Sequence, residues 1–285
     1  MLEIILPDKN CLKSCFGIER AFRKCMDIEG NEFLILGQLG HNKALCDYLE
    51  KRGFISINNL QKAGNKKIII APHGINKDDL EFLKKNKVQF IDLACPFVNR
   101  LIKQALAFEK RNYQIVIIGD KNHIEIKNVC SFLKSPIVIN NKVDVKKLSL
   151  FPKVAVLAQT TQTLMRINNV LPIIKKKYKK VVYANTRCPE TGKRQEEAIK
   201  LAKKADLVLV VGDNISKNAN NLVDVCGRFA KSKLVQGEDD IKDVLFHEIK
   251  KVGVIASAST PSFSTDGIIK CLKKLSLDAQ FGSKL

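Results

Sequence analysis

Strand-like and helix-like patterns alternate along the whole sequence, and this alternation restricts the fold more than any other feature. Runs rich in Val, Ile and Leu predict strands at 3–6, 33–36, 67–71, 89–93, 114–118, 136–139, 154–158, 180–183, 207–211 and 252–256. Amphipathic stretches between them predict helices at 18–26, 43–51, 98–110, 163–177 and 194–204. Strands that alternate with helices of this length indicate an α/β fold with mainly parallel sheets.

A weak repeat divides this pattern into three parts. Three times an apolar strand ends, a cysteine follows and an amphipathic helix begins, at Cys15, Cys95 and Cys188. Self-similarity at this spacing predicts three related units in sequence. We place them at 15–95, 96–187 and 188–285, with residues 1–14 packing centrally or on the third unit.

The net charge of +20 raises the possibility of nucleic-acid binding, because Lys and Arg pair with phosphates. However, 40 of the 49 basic residues are lysine, whereas base readout and stacking favour arginine. The lysines are scattered along helix faces, and no aromatic-rich RNA-binding strand motif occurs. RNA binding therefore remains a minor alternative, and part of the charge is expected to attract an anionic substrate or an acidic electron donor.

The sequence gives no sign of export or membrane insertion. The first apolar run, residues 2–6, is short and ends at Pro7, and no apolar stretch approaches membrane-spanning length. Nine cysteines, an odd number without a CxxC pair, argue against both a disulfide framework and a zinc ribbon. We expect a cytoplasmic protein with no membrane partner.

The three repeated cysteines have the sequence context of metal ligands. Each lies beyond a strand and at the start of a helix, where the helix dipole stabilises the thiolate that binds iron. Pro96 and Pro189 suit the first helical turn. Three such thiolates can hold a cubane iron–sulfur cluster and leave one iron open. The alternative is that each is a small buried apolar residue.

The other six cysteines are interpreted differently. Cys11, four residues before Cys15, is a second candidate ligand, although we favour Cys15. The remaining five lie inside apolar helical patterns and are predicted to be core residues: Cys25, Cys46, Cys130, Cys226 and Cys271.

Three histidines and one glutamate suggest a site for an anionic substrate. His41, His73 and His123 each follow a strand, and imidazoles that face one crevice suit a diphosphate. Glu125 is a candidate proton donor, because a desolvated carboxyl group has a raised pKa. The alternatives are ordinary hydrogen-bonded histidines and a surface glutamate. His247 is predicted to be an ordinary helix residue.

Polar loops follow three further strands, at 158–162, 212–218 and 256–261. Their hydroxyl and amide groups can donate to phosphate oxygens beside helix N-termini. Helix capping is the alternative for each loop. The sequence contains neither a P-loop nor a dinucleotide fingerprint, so nucleotide hydrolysis and classical NAD use are unsupported.

Nine short segments together resemble one known family. They are Cys15-Phe16-Gly17-Ile18-Glu19-Arg20-Ala21, His41-Asn42, His73-Gly74, Cys95-Pro96-Phe97-Val98, Asn122-His123-Ile124-Glu125, Gln159-Thr160-Thr161-Gln162, Cys188 with Arg194-Gln195-Glu196, Ser216-Lys217-Asn218 and Ala258-Ser259-Thr260-Pro261. In this order and spacing the chain resembles the LytB/IspH family of hydroxymethylbutenyl diphosphate reductases. The resemblance covers almost the whole chain.

The resemblance implies a fold, a cofactor and a reaction. The fold would be a trefoil of three α/β units around a central 4Fe-4S cluster held by Cys15, Cys95 and Cys188. Glu125 would deliver a proton, and Thr160 would place the substrate hydroxyl. The diphosphate would be held by His41, His73, His123, Ser216, Asn218 and Ser259. Two electrons from a ferredoxin or flavodoxin would yield isopentenyl and dimethylallyl diphosphates, the last step of the methylerythritol phosphate route to isoprenoids.

Five positions depart from the pattern of the family that the chain resembles. Ile124 replaces a proline, Lys217 a small hydroxyl residue and Ser257 a glycine, while Ala94 and Ile102 replace polar residues around Cys95. The predicted ligands and the acid are retained, so we expect activity. The alternative is a divergent paralogue that binds cluster or diphosphate without turnover.

Overall fold

The computed structural model describes residues 2–28, 33–242, 246 and 248–281 and confirms the predicted α/β class. His247 lies outside the described residues. The strands are β1 (Glu3–Ile5), β2 (Phe33–Leu36), β3 (Ile55–Ile57), β4 (Lys67–Ile70), β5 (Phe90–Asp92), β6 (Gln114–Ile118), β7 (Ile137–Ile139), β8 (Val154–Ala158), β9 (Val181–Tyr183), β10 (Leu207–Val211), β11 (Lys231–Val235) and β12 (Lys251–Ala256). The helices are α1 (Phe16–Met26), α2 (Lys43–Lys51), α3 (Lys77–Lys85), α4 (Pro96–Lys110), α5 (Ile124–Ser131), α6 (Lys142–Lys146), α7 (Leu164–Lys177), α8 (Pro189–Ala202), α9 (Lys217–Cys226), α10 (Asp239–Lys242) and α11 (Ser262–Phe281), with short 3-10 helices at Lys9–Leu12 and Leu60–Lys62.

The described strands form three four-stranded parallel sheets with the same internal order. The orders are β3-β2-β4-β5, β7-β6-β8-β9 and β11-β10-β12-β1. In the first two sheets the four strands are consecutive in sequence, whereas the third takes its last strand from residues 3–5, which pair with β12. A glycine directly follows β2, β6 and β10, the strands that stand second in these three orders. Its N–H donates to the carbonyl of the last residue of the neighbouring edge strand: Gly37 to Ile57 (2.8 Å), Gly119 to Ile139 (2.9 Å) and Gly212 to Val235 (2.9 Å).

The contacts divide the chain into two compact units. Unit 1 comprises Met1–Glu19, Gly40–Lys51 and Lys193–Leu285 and contains the sheet with β10 and β12. Unit 2 comprises Arg20–Leu39 and Arg52–Gly192 and contains the other two sheets. The middle strands β8 and β10 are buried at every residue, as expected of parallel strands covered on both faces. Within the described part of the chain, no helix is both long and apolar enough to span a membrane.

Ten of these strands were predicted, and two edge strands were missed. In β11 the sequence Lys231-Ser232-Lys233 carries little apolar signal, and in β3 the first two residues are exposed. Edge strands are short and polar because one side of each faces solvent, so their sequences are less apolar than those of central strands.

Three helices begin directly after the repeated cysteines and so start before the amphipathic stretches of the sequence, for the same reason in each case. Helices α1, α4 and α8 start at Phe16, Pro96 and Pro189, directly after a cysteine, rather than at residues 18, 98 and 194, where the amphipathic stretches begin. Each cysteine carbonyl accepts a bond from the residue four positions on: Glu19 (2.9 Å), Asn99 (3.1 Å) and Gly192 (3.1 Å). The three cysteines therefore occupy N-cap positions.

Candidate functional site

The same backbone hydrogen bond fixes each of the three predicted cysteine ligands. Each cysteine N–H donates to the carbonyl of the second residue after a central strand of a sheet. The bonds are Cys15 to Ala258 (2.8 Å, after β12), Cys95 to Pro72 (2.9 Å, after β4) and Cys188 to Thr160 (2.8 Å, after β8). Each thiol thus lies at the carboxyl end of a parallel sheet and at a helix N-terminus, where a thiolate is stabilised. All three cysteines are partly exposed.

Five of the other six cysteines, Cys11, Cys25, Cys46, Cys130 and Cys226, have surroundings that favour the neutral thiol. Burial raises the pKa of Cys25 and Cys226 to about 12 and that of Cys130 to about 11. Cys11 is buried in an apolar cluster with Ala198, and burial raises its pKa as well. Both the burial and the raised pKa disfavour Cys11 as a metal ligand. Cys46, Cys130 and Cys271 are only partly buried, which differs from the prediction that they are core residues.

A buried carboxyl group lies beside the Cys188 loop in unit 2. Glu125, in the first turn of α5, is 2% exposed. Thr160 donates to it twice, from its backbone N–H to Oε1 (2.9 Å) and from its hydroxyl to Oε2 (2.6 Å). Burial raises the pKa of Glu125, while the two bonds from Thr160 act to lower it. The raised pKa favours the protonated carboxyl group, which is the form that can donate a proton.

Two of the predicted histidines lie together in unit 2. The rings of His73 and His123 are 5.7 Å apart between centroids and meet edge to face. His123 caps α5, and its Nδ1 accepts from the Glu125 N–H at 3.2 Å. Because Nδ1 is an acceptor, the proton of the neutral His123 ring is on Nε2, which can then donate a hydrogen bond. The side chain of Asn128 donates to the carbonyls of His73 (3.2 Å) and Gly74 (2.9 Å) and so fixes the His73 loop.

The other predicted diphosphate residues belong to unit 1. Ser259 donates its hydroxyl to the carbonyl of His41 at 3.0 Å, and Ser216 caps α9 by accepting from the Ala219 N–H. Burial lowers the pKa of His41, although Asp213 opposes this shift. In the sequence, His41, His123 and Ser216 are each the fifth residue after the end of a strand, namely β2, β6 and β10. They therefore occupy equivalent positions in the three sheets.

Asn218 is the residue of this group that most clearly indicates a missing ligand. It is 7% exposed, yet neither its side-chain oxygen nor its side-chain nitrogen has a hydrogen-bond partner among the described residues. Buried amides are almost always hydrogen-bonded, because desolvation without a partner is costly. The amide of Asn218 could be satisfied by a polar ligand such as a phosphate group.

The departures from the pattern of the resembled family leave these contacts undisturbed. Ile124 is 41% exposed at the first position of α5, where proline is common. Ser257 is fully buried, and its hydroxyl bonds to that of Thr260 at 2.9 Å rather than extending into the loop. Lys217 is an exposed first residue of α9. Ala94 packs in the core of its sheet.

The sequence predictions missed three arginines that bond to the cysteine loops. Arg20, Arg100 and Arg194 follow the three cysteines by five, five and six residues. Each donates to backbone carbonyls shortly before one of the cysteines. The signal was present in the sequence as this recurrent spacing. This spacing alone does not reveal the role of the arginines, because a bond from a side chain to a carbonyl distant in sequence leaves no pattern of its own.

Comparison with known proteins gives a consistent result. The family model described as "LytB protein" matches residues 10–273. The 4-hydroxy-3-methylbut-2-enyl diphosphate reductase of Campylobacter hominis is 34% identical over 260 residues, covering 90% of this chain and 94% of the relative. The enzyme of the same name from Dictyoglomus thermophilum is 34% identical over 268 residues, covering 92% and 93%.

Two solved structures share the fold. The first is the E-1-hydroxy-2-methyl-but-2-enyl-4-diphosphate reductase from Plasmodium falciparum, with a TM-score of 0.88 and 27% identity over 95% of this chain and 88% of that one. The second is an (E)-4-hydroxy-3-methyl-but-2-enyl diphosphate reductase described as the terminal enzyme of the non-mevalonate pathway. Its TM-score is 0.70 at 25% identity, over 96% of this chain and all of that one.

Proposed function

The chain belongs to the LytB protein family, and we propose that it reduces 4-hydroxy-3-methylbut-2-enyl diphosphate to isopentenyl and dimethylallyl diphosphates in isoprenoid biosynthesis. The reaction breaks the allylic C–O bond. It consumes two electrons and two protons, forms one C–H bond and releases water. The observation that carries the proposal is the continuous bonded path from Glu125 through Thr160 to Cys188, which joins a buried carboxyl group to the loop of a proposed metal ligand.

The three repeated cysteines fit a 4Fe-4S cluster. Cys15, Cys95 and Cys188 would provide three soft thiolates, which suit iron–sulfur clusters, and each sits where a helix stabilises the charged form. When bound, the cluster supplies electrons and, at the iron without a protein thiolate, a Lewis acid for the leaving hydroxyl group. The cysteine loops hold the thiolates at the carboxyl ends of the sheets, where ligands of parallel α/β folds bind.

Glu125 and Thr160 deliver the proton that allows water to leave. Oε1 of Glu125 accepts from the Thr160 N–H, so the acidic proton belongs on Oε2 beside the Thr160 hydroxyl. In the structure this hydroxyl donates to Oε2. When Glu125 is protonated the bond reverses, so that the hydroxyl accepts from Oε2 and directs its own hydrogen to the substrate oxygen. Burial keeps water away from this pair and raises the pKa of Glu125, which favours its protonated form.

Six polar residues hold the diphosphate. They are His41, His73, His123, Ser216, Asn218 and Ser259. Nε2 of His123 donates to a phosphate oxygen, and the unpartnered amide of Asn218 supports the same role in unit 1. Together they orient the substrate so that its hydroxyl group, rather than its diphosphate, faces the acid.

An acidic ferredoxin or flavodoxin supplies the electrons. A cavity of about 560 Å³ in unit 2 lies against Ala94 and Pro96, on either side of Cys95. Its wall includes Arg20, Arg100 and Lys103 against the single acidic residue Asp92. A positive surface beside a ligand loop favours the approach of a negatively charged carrier.

The reaction is tested by anaerobic turnover of the diphosphate substrate with reconstituted protein and reduced viologen. We expect dye oxidation with formation of both five-carbon diphosphates. Cys95→Ser should abolish iron binding and turnover, whereas Cys46→Ser, which retains the weak bond to the Gly40 carbonyl, should preserve both. Protein that carries full iron and sulfide but converts no substrate would contradict the proposal and indicate a non-catalytic paralogue.

The donor is tested with two lysines of the same helix. Lys103→Glu should raise the KM for reduced ferredoxin several-fold while leaving viologen-driven turnover at least as fast. Lys110→Glu, an equally exposed change at the end of α4, should have little effect. Equal effects of the two substitutions on the KM for ferredoxin would show that the cavity does not bind the electron donor.

A further inference from the structure

Arg20 bonds to the backbone immediately before Cys95. Its Nη2 donates to the carbonyls of Leu93 (2.9 Å) and Ala94 (2.7 Å). One guanidinium nitrogen thus holds the last two peptide groups before the predicted ligand. The positive charge of the arginine is brought to the base of this loop.

Arg100 makes the corresponding contact before Cys188. Its Nη2 donates to the Arg187 carbonyl at 3.0 Å and lies 3.5 Å from that of Asn185. The guanidinium also packs over the Phe97 ring, 5.3 Å from its centroid. The peptide that links Arg187 to Cys188 is therefore fixed at its carbonyl by an arginine and at its N–H by the bond to the loop after β8.

Arg194 likewise bonds to backbone carbonyls in the segment before Cys15. Its Nη2 donates to the carbonyls of Asn10 and Lys13, both at 3.0 Å. Its Nη1 donates to the Ala256 carbonyl at 2.7 Å. Arg194 is 2% exposed, so this is a fully buried guanidinium whose hydrogen bonds go to peptide carbonyls.

The three arginines share a feature that calls for a negative partner. In the part of the chain that the structure describes, their hydrogen bonds all go to carbonyl oxygens and none forms an ion pair with a carboxylate. The Nε of each is buried and without a hydrogen-bond partner among the same residues. Burying an N–H group without a partner is costly, and at Arg194 the whole cation is buried. A group that brings negative charge would offset this cost. A cluster held by three thiolates would bring such charge.

We propose that Arg20, Arg100 and Arg194 are positioning residues that hold the three cysteine loops and stabilise the reduced form of the cluster. The inference rests on the proposed function. Each electron added to a cluster increases its negative charge, so a fixed positive charge nearby favours reduction. Removing one of these charges should therefore lower the reduction potential.

Arginine is suited to both parts of this role. Its rigid planar group can bond to two carbonyls while remaining charged at any physiological pH. Lysine would retain the charge but not the planar geometry, and glutamine would retain a hydrogen-bond donor but not the charge. Substitution by each of these residues separates the electrostatic contribution from the positional one.

Arg100 is the residue of choice for the test, because it is only partly buried and its variants are expected to fold. Anaerobically reconstituted wild type, Arg100→Gln, Arg100→Lys and the control Arg111→Gln are titrated with EPR detection of the reduced cluster. Arg111 lies at the end of α4 and packs on Phe108 and Tyr113, distant in sequence from any of the three cysteines. Hydrogen exchange of residues 185–188 in the same proteins measures how firmly the loop is held.

Arg100→Gln should lower the midpoint potential by an amount comparable to a tenfold change in the equilibrium, about 59 mV for one electron. Arg100→Lys should remain near the wild-type potential, and both Arg100 variants should show faster exchange at 185–188. Arg111→Gln should change neither. An unchanged potential in iron-replete Arg100→Gln, or an equal shift in Arg100→Lys, would overturn the electrostatic role, and unchanged exchange would overturn the positional one. Absence of a cluster from the wild type would instead refute the proposed function, and the exchange measurement would still test the loop contact.

Discussion

Thr160 binds both carboxylate oxygens of Glu125, one through its backbone N–H and the other through its hydroxyl. The carbonyl of the same threonine accepts the N–H of Cys188. One residue therefore fixes the position of the proposed acid and of a proposed cluster ligand. A displacement of the loop after β8 would affect both together.

Replacement of Glu125 by glutamine should retain the structure and abolish most of the activity. Glutamine has nearly the same shape and can accept from the Thr160 N–H, but it carries no acidic proton. General acid catalysis contributes about 10²–10⁴-fold, so kcat should fall by that factor while iron content is unchanged. The exposed change Glu81→Gln in α3 serves as the control. Full turnover by Glu125→Gln would exclude Glu125 as the donor.

The pH profile should report the bond between Thr160 and Glu125. A proton donor must be protonated, so turnover should decrease as the pH rises through the pKa of Glu125, which burial has raised. The Thr160 hydroxyl lowers this pKa; Thr160→Val should therefore move the basic limb to higher pH and reduce kcat. Thr160→Ser, which retains the hydroxyl group, should preserve both the pH of the basic limb and kcat. A basic limb at the same pH in Thr160→Val would indicate that another group titrates.

Thiol reactivity should separate the proposed ligands from the core cysteines. With pKa values of about 12 for Cys25 and Cys226 and about 11 for Cys130, these residues are almost wholly protonated at pH 8. Iodoacetamide should therefore label Cys15, Cys95 and Cys188 early in iron-free protein, and Cys25, Cys130 and Cys226 much later. Mass spectrometry of timed samples measures the order. Reconstitution with iron and sulfide before labelling should protect the same three, and early labelling of Cys226 would contradict the assignment.

Replacement of Asn218 by leucine should stabilise the protein and weaken its binding of substrate. The buried amide of Asn218 has no hydrogen-bond partner among the described residues, so an apolar group of similar size removes an unfavourable burial of about 1–3 kcal/mol. The melting temperature should rise, while the KM for the diphosphate substrate should increase at least several-fold. A lower melting temperature with an unchanged KM would show that the amide serves the fold rather than the ligand.

Sequence reasoning was most successful where the physical signal was local. Continuous apolar runs such as 207–211 specify buried parallel strands, and a cysteine between such a run and a helix specifies a loop at the end of the sheet. The polar edge strand β11 lacked this signal. The Arg194 contact with Lys13 joins residues 181 positions apart. Contacts of this kind depend on the assembled fold and cannot be recovered from periodicity.

The position of β1 in the third sheet determines the order in which the protein can be completed during synthesis. Sheets built from residues 33–92 and 114–183 pair strands that emerge from the ribosome close together, whereas Glu3–Ile5 must wait for Lys251–Ala256. Pairing between distant segments is slow because loop closure is entropically unfavourable. Pulsed hydrogen exchange during refolding should therefore find β1 protected last. The Cys15 loop, which bonds to Ala258, would take shape after the other two, so cluster insertion would follow the emergence of residues 251–258.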